Sequence, residues 1–162
     1  MKSNPAKASL AALIVPIALA APGCGGGGET IRGTGLPPGH EGVEVISRWV
    51  GALSRGDVSA AAKLFALPAV VENGTPPIRL RTREDAVVFN RSLPCGGRLV
   101  GARPEGRFIA ATFRLTDRPG GACGSGEGTL ARAEFLIRAG KIAEWRRLPD
   151  RAPATGPSGP IV

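Results

Sequence analysis

The spacing of apolar residues changes once along the chain, and this change limits the folds available to it. Before Cys95, apolar side chains recur at intervals of three and four residues, as in Val43, Ile46, Trp49, Val50 and Leu53. After Cys95 they alternate with polar ones. The first spacing is that of amphipathic helices and the second that of half-buried strands. Helices followed by a meander of strands predict an α+β domain with an antiparallel sheet.

Capping and breaking residues set the bounds of the predicted helices. The first helix ends at Arg55-Gly56, and Asp57 caps a second helix whose apolar face includes Phe65 and which ends at Pro68. A third helix is predicted over 83–92, where Thr82 with Asp85 resembles a capping box.

The strands are bounded by turn residues. Two short strands, at 69–72 and 78–81, flank the turn dipeptide Asn73-Gly74. The longer strands are predicted at 98–103, 106–117, 127–138 and 141–148, with a tight hairpin turn at Ala139-Gly140.

The first 24 residues read as an export signal. Lys2 and Lys7 precede an apolar stretch from Ala8 to Ala21, which is shorter than the roughly 18–20 residues that a membrane-spanning helix needs. Cys24 follows directly, as in bacterial lipoprotein signals, where the thiol carries lipid. The segment Ala21-Pro22-Gly23 is an atypical cleavage site, so ordinary secretion and a retained anchor stay open as alternatives.

Composition divides the chain into four parts. They are a signal peptide at 1–23, a Gly/Pro-rich tether at 24–42, a folded domain at 43–149 and a Pro/Gly-rich flexible tail at 150–162. We expect the protein to be extracytoplasmic, anchored to the outer face of the cell membrane.

The three cysteines fit that compartment. Lipidation of Cys24 leaves Cys95 and Cys123 as a pair, and an oxidising compartment lets such a disulfide persist. The alternative, a redox or metal site, lacks a CxxC spacing, and the chain's single histidine, His40, lies in the tether. We therefore predict a structural disulfide and no metal site.

Charge does not indicate nucleic-acid binding. The formal net charge is +8, but the arginines are spread singly, aromatic residues make up 4% of the chain and tyrosine is absent. Stacking platforms for bases therefore have few residues to form them.

Three motifs in order carry a resemblance to a known family. They are Ala-Leu-Ser-Arg-Gly-Asp at 52–57, Ala-Ala-Ala-Lys-Leu-Phe at 60–65 and Arg-Ala-Gly-Lys-Ile-Ala-Glu-Trp-Arg at 138–146. Over residues 43–149 the chain resembles the SnoaL-like branch of the nuclear transport factor two-like superfamily. The resemblance implies a cone-shaped, curved antiparallel sheet packed against three N-terminal helices, with a pocket at the open end.

The resemblance leaves the function open, because fold does not determine function. Enzymes of the superfamily commonly use Asp with His or Tyr, and residues 43–149 contain neither His nor Tyr. Glu72 is a candidate catalytic acid or base by its position in the pattern. Glu134 and Glu144 are the other candidates: a solvated cross-strand ion pair is favoured over a catalytic role for Glu134, and Glu144 is open to the same two interpretations. The candidate pocket-lining residues are Trp49, Phe65, Glu72, Phe89, Phe113 and Trp145.

Three functions are therefore weighed. The favoured one is a membrane-tethered, non-catalytic module that binds a small apolar ligand or another protein. The second is a SnoaL-like cyclase, isomerase or hydrolase acting on a small apolar substrate, and the third is a structural envelope protein that forms a homodimer through its sheet. No cofactor is predicted.

Overall fold

A computed structural model of the chain describes residues 35–37 and 39–149. The predicted signal peptide, Cys24 and the C-terminal tail lie outside the described residues. Helices come first and long strands last, in this order: α1 Glu41–Ser54, α2 Val58–Lys63, β1 Phe65–Glu72, β2 Ile78–Leu80, α3 Arg83–Ser92, β3 Gly96–Glu105, β4 Phe108–Thr116, β5 Leu130–Arg138 and β6 Lys141–Leu148.

The helices begin where a side chain satisfies free backbone N–H groups. In α1 the His40 Nδ1 accepts a hydrogen bond from the Gly42 N–H at 3.2 Å, so the last residues of the predicted tether are already helical. The predicted capping box of Thr82 and Asp85 is confirmed at the start of α3. Hydrogen bonds from the backbone N–H groups of Arg81 and Thr82 hold the pKa of Asp85 below the usual value for an aspartate.

The strands form one sheet in the order β2-β1-β6-β5-β4-β3. The predicted α+β class, with helices packed on the sheet, is confirmed. One pairing differs from the wholly antiparallel sheet that was predicted, because β1 lies parallel to β6, with Val71 opposite Trp145. The sheet is therefore mixed.

The second helix is shorter than predicted. Phe65, expected on that helix, instead begins β1, because its backbone pairs with Ile142 of β6 and its side chain is only 1% exposed. Pro68 lies inside this strand, and the pairing with β6 shifts register between Phe65 and Val70. Such a shift accommodates a residue that has no N–H to donate. Pairing with a distant strand has overridden the local helical pattern.

Gly96 and Gly97, which precede the strand predicted at 98–103, are the first residues of β3 and lie against the end of α1. The Ser54 hydroxyl donates to the Gly97 carbonyl oxygen at 2.8 Å and accepts from its N–H at 2.9 Å. A Cβ on Gly96 would lie 2.8 Å from the Ser54 Cα. Glycine is therefore required for this close approach of strand to helix.

Trp49 of α1 lies at the centre of the core. Its ring contacts Phe135 at 5.3 Å, Phe113 at 6.0 Å and Trp145 at 6.3 Å between ring centroids. Its indole N–H donates to the Asn90 Oδ1 of α3 at 2.9 Å. Both helices are thereby fixed against the inner face of the sheet.

The segment between α3 and β3 is held by two further interactions. Cys95 and Cys123 form the predicted disulfide, with their Cα atoms 4.5 Å apart. Arg118, only 5% exposed, donates to the carbonyl oxygens of Asn90, Arg91 and Leu93. A cation at the last turn of a helix satisfies carbonyl groups that have no intrahelical partner.

No helix within residues 35–37 and 39–149 combines the length and apolar character needed to cross a membrane.

We expect Arg118→Met to lower the free energy of unfolding by about 2–4 kcal/mol, because it leaves buried carbonyl oxygens without donors. Urea denaturation followed by circular dichroism measures this loss. Arg98→Met is the matched control on an exposed strand position and should change stability by less than about 0.5 kcal/mol. Equal effects of the two substitutions would contradict the capping role of Arg118.

A second pair of substitutions tests the contact between β3 and α1. Gly96→Ala should cost about 1–3 kcal/mol, because its methyl group meets the Ser54 backbone. Gly101→Ala, on the same strand, has no atom within 4 Å of the new Cβ and should be close to neutral. Thermal unfolding of both variants measures the difference, and a neutral Gly96→Ala would show that the helix can move away.

Candidate functional site

A cavity of about 90 Å³ lies between α1, the segment joining α3 to β3, and the inner face of the sheet. Most of its lining is apolar. The lining residues on helix α1 and the α3–β3 segment are Trp49, Val50, Leu53, Leu93, Pro94 and Cys95. Those on the sheet are Gly96, Gly97, Phe113, Leu115, Ala131, Arg132, Ala133, Trp145 and Arg147, and Asn73 follows β1.

The predicted pocket residues divide into two groups. Trp49, Phe113 and Trp145 line the cavity. Phe65 and Phe89 pack against each other with ring centroids 5.8 Å apart, and Phe89 contacts Trp145 at 5.3 Å. They therefore lie behind Trp145, in the core, and do not line the cavity.

Glu72, the candidate acid or base, lies elsewhere. Side chains alternate between the two faces of a strand. Val71 is in the core and pairs with Trp145, so Glu72 lies on the opposite, outer face, where it pairs with Arg146. It does not line the cavity.

The outer face near Glu72 carries charged groups that neutralise one another. Glu144 accepts from Arg107 at 3.2 Å and from Arg146 at 2.7 Å. Both guanidinium groups lie over the Phe108 ring, at 5.0 Å and 4.8 Å from its centroid. Glu144 therefore lies in an ion pair on the outer face, with its side chain only 16% exposed.

Two lining residues with polar side chains were not identified from the sequence. Arg147 is the second residue after Trp145 on β6, so the two share the inner face. Asn73 follows β1 and was assigned only to a turn. The strand alternation around Trp145 was a signal that could have identified Arg147. Arg132 lies between Ala131 and Ala133, so its side chain belongs to the outer face.

The indole N–H of Trp145 is a buried donor. Trp145 is 4% exposed, and among the described residues no atom accepts a hydrogen bond from its Nε1. Trp49, the other tryptophan in the lining, has its donor satisfied by Asn90. Buried donors are ordinarily paired, so Trp145 Nε1 is an exception within the described part of the chain.

A second depression, of about 510 Å³, lies at the other end of α1 and is lined by Leu36, His40, Glu41, Gly42, Pro104, Gly106, Arg107, Phe108, Ile109 and Ile137. It is larger and somewhat more open than the cavity lined by Trp49, Phe113 and Trp145. The His40 Nδ1 is already engaged in capping α1. We therefore take the cavity lined by the aromatic residues as the candidate site.

Within the part of the chain that the structure describes, no group of three or more His, Cys, Asp or Glu side chains could hold a metal ion.

Comparison of sequences gives no relative, since no protein-family model and no curated protein matches the chain. Comparison of structures finds proteins of similar fold. A de novo designed protein with a curved β-sheet has a TM-score of 0.53 and 18% identity, over 68% of this chain and 86% of that one.

Two natural proteins have similar structures. An NTF2-like protein of unknown function from Cytophaga hutchinsonii has a TM-score of 0.52 and 12% identity, covering 67% of this chain and 88% of its own. A candidate ketosteroid isomerase from Kribbella flavida has a TM-score of 0.52 and 15% identity, covering 75% and 88%.

Identities this low carry information on the fold and none on the activity. The helices, the curved mixed sheet and these neighbours together give the described domain the α+β fold of the nuclear transport factor two-like proteins.

Proposed function

We propose that this chain is a membrane-tethered extracytoplasmic protein whose domain binds a small apolar molecule without transforming it. The chemistry of the cavity lining carries this proposal. Aromatic rings and aliphatic side chains form most of the wall, and the described residues contribute no Asp, Glu or His to it. General acid or base catalysis needs such a group within hydrogen-bond reach of the reacting atoms.

The size of the cavity limits the ligand. Ligand pockets for drug-sized molecules measure roughly 300–1,000 Å³, and this one measures about 90 Å³. We infer that it holds a short apolar group. Each Å² of apolar surface removed from water contributes roughly 25 cal/mol, and contact with the faces of Trp49, Phe113 and Trp145 adds specificity of shape.

The two alternatives have less support. An enzyme based on Glu72 would need that carboxylate at the cavity, whereas strand alternation places it on the outer face. A homodimer through the sheet would bury an apolar outer face. The exposed large apolar side chains are instead distributed over one helix and four strands: Leu67, Ile78, Val88, Val100 and Leu130.

The proposed tether is supported by the sequence alone. The apolar stretch and its two lysines precede Cys24 in the order typical of an export signal. A lipidated Cys24 also leaves Cys95 and Cys123 free to form the disulfide. An oxidising compartment suits that bond.

We expect Cys24→Ala to move the protein from the membrane fraction to the soluble fraction, because the lipid attachment atom is removed. Fractionation followed by intact-mass measurement checks this outcome. The double variant Cys95→Ala/Cys123→Ala is the control, and it should stay membrane-bound while losing about 3 kcal/mol of stability with the disulfide. Unchanged membrane association of Cys24→Ala would indicate a retained helix.

Both tryptophans of the chain line the cavity, so intrinsic fluorescence reports directly on its occupancy. We expect 1-hexanol to change this emission saturably and Ala131→Leu, which fills the cavity, to weaken the response at least about tenfold. Ala122→Leu, at an exposed position, is the matched control. A hexanol response unaltered by Ala131→Leu would refute the proposed site.

A further inference from the structure

We propose that the outer face of the sheet binds the surface of an anionic phospholipid bilayer through a basic patch on β3, β4 and β5. The basic patch consists of Arg98, Arg114 and Arg132 together with the exposed apolar residues Val100 and Leu130. It rests on the tether of the proposed function and assigns the side of the domain that faces the membrane.

The strand register gathers arginines that are far apart in the sequence. Arg98 lies directly opposite Arg114, and Arg132 lies opposite Thr112, two residues before Arg114 on β4. An adjacent residue on each of the three strands packs in the core, so side-chain alternation places the arginines on the outer face. Opposite and diagonal positions of this kind bring Cβ atoms within about 5 Å and about 7–8 Å of each other.

The guanidinium groups of the patch have few partners. Within the described residues, Arg98 and Arg132 take part in no ion pair and donate no side-chain hydrogen bond, and Arg114 donates only to the Gly128 carbonyl oxygen, at 2.9 Å. Arg98 and Arg114 are exposed and Arg132 is half-buried. Because like charges directly opposite each other destabilise a sheet, an anionic layer against the patch would stabilise it.

The acidic residues of the described strands are balanced by arginines outside the patch. Glu144 accepts from Arg107 and Arg146. The other strand acids and their neighbours are Glu105, paired with Arg103, and Glu72 and Glu134, each opposite Arg146. The outer face is therefore mixed in charge at one end and cationic at the end that carries the patch.

Two apolar side chains border the arginines. Leu130, directly opposite Arg114, is 51% exposed. Val100 is 46% exposed, and it lies on the outer side because Leu99 and Ala102 on either side of it pack against the core. Binding to a bilayer surface combines burial of apolar area with attraction between cations and anionic headgroups. The patch provides both contributions.

The position of the tether favours a membrane over other anionic partners. The Leu36 N–H donates to the Ala102 carbonyl oxygen at 2.9 Å, so the chain joins the domain at β3, the strand that carries Arg98. Cys24 precedes Leu36 by 12 residues. A lipid on Cys24 would therefore keep this strand within roughly 40 Å of the bilayer.

Two other partners fit the patch less well. Single-stranded nucleic acid binds by stacking bases on aromatic rings, and Phe108, the one aromatic residue on the outer face of the described strands, is covered by the guanidinium groups of Arg107 and Arg146. A second copy paired through the patch about a two-fold axis would place arginines against arginines, which repel each other.

The test measures binding of the full-length Cys24→Ala chain, which lacks the lipid, to two kinds of vesicle. One is phosphatidylcholine alone and the other an equal mixture with phosphatidylglycerol. Co-sedimentation at low salt gives two partition coefficients, whose ratio measures the preference for anionic lipid. We expect Arg98→Gln/Arg114→Gln/Arg132→Gln to lower this ratio at least about tenfold, because each arginine near an anionic surface contributes about fivefold. The N-terminal apolar stretch is the same in every variant.

Three further variants separate the patch from other effects. Arg48→Gln/Arg55→Gln/Arg91→Gln removes the same charge from exposed positions in or next to the helices, and it should keep the ratio within about twofold. The triple substitution of the patch arginines by lysine should keep most of the preference, because attraction to a bilayer depends on charge. Leu130→Ser should weaken binding to the anionic vesicles about threefold.

Four outcomes would overturn the basic patch. They are equal partition of the parent chain into both kinds of vesicle, an equal fall of the ratio in the two glutamine triple variants, tighter binding to a single-stranded oligonucleotide than to the anionic vesicles, and a dimer in analytical ultracentrifugation that Leu130→Ser abolishes.

The tether and the patch fail separately. Salt screens the patch, so it does not hold the Cys24→Ala chain on cell membranes that are washed at high salt, and fractionation after such a wash tests the tether alone. Preference for anionic vesicles in a protein whose Cys24 carries no lipid would refute the tether and support the patch.

Discussion

The hydrogen bond from Trp49 to Asn90 is the interaction on which the arrangement of the domain depends. It joins α1 to α3 at 2.9 Å, and Asn90 is completely buried. The Asn90 amide also donates to the Ala86 carbonyl oxygen within α3, so both ends of the side chain are fixed. With its edge held in this way, the Trp49 ring stands at the centre of the aromatic cluster, and the sheet packs around it.

The candidate site is a consequence of the same packing. The sheet and α1 supply two walls. The third is the segment from Leu93 to Cys95, which lies between α3 and β3. Arg118 binds the carbonyl oxygen of Leu93, and the disulfide holds Cys95. A cationic side chain and a covalent bond therefore hold one wall of a small apolar cavity, at a segment that belongs to no helix or strand.

Features set by neighbouring residues were predictable from the sequence, and those set by distant partners were not. The capping box at Thr82 follows from local spacing. The disulfide is the exception among the distant pairs, because the cysteine count and the expected compartment predicted it. The start of β1 at Phe65 depends on Ile142 of β6, far along the chain, and helical spacing gave no sign of it. Arg118 lies in a turn sequence, so its burial under α3 was not evident. The cavity position of Arg147 required the strand register as well as the pattern.

The parallel pairing of β1 with β6 has a consequence for the order in which the domain folds. The strands β3 to β6 pair with their sequence neighbours, and such contacts close short loops. Pairing of Phe65 with Ile142 closes a much longer loop. Because loop-closure entropy rises with separation, the meander is the natural early structure. The pair of β1 and β2, itself local in sequence, then adds to the edge of β6, so a nascent chain needs its last strand before the core is closed.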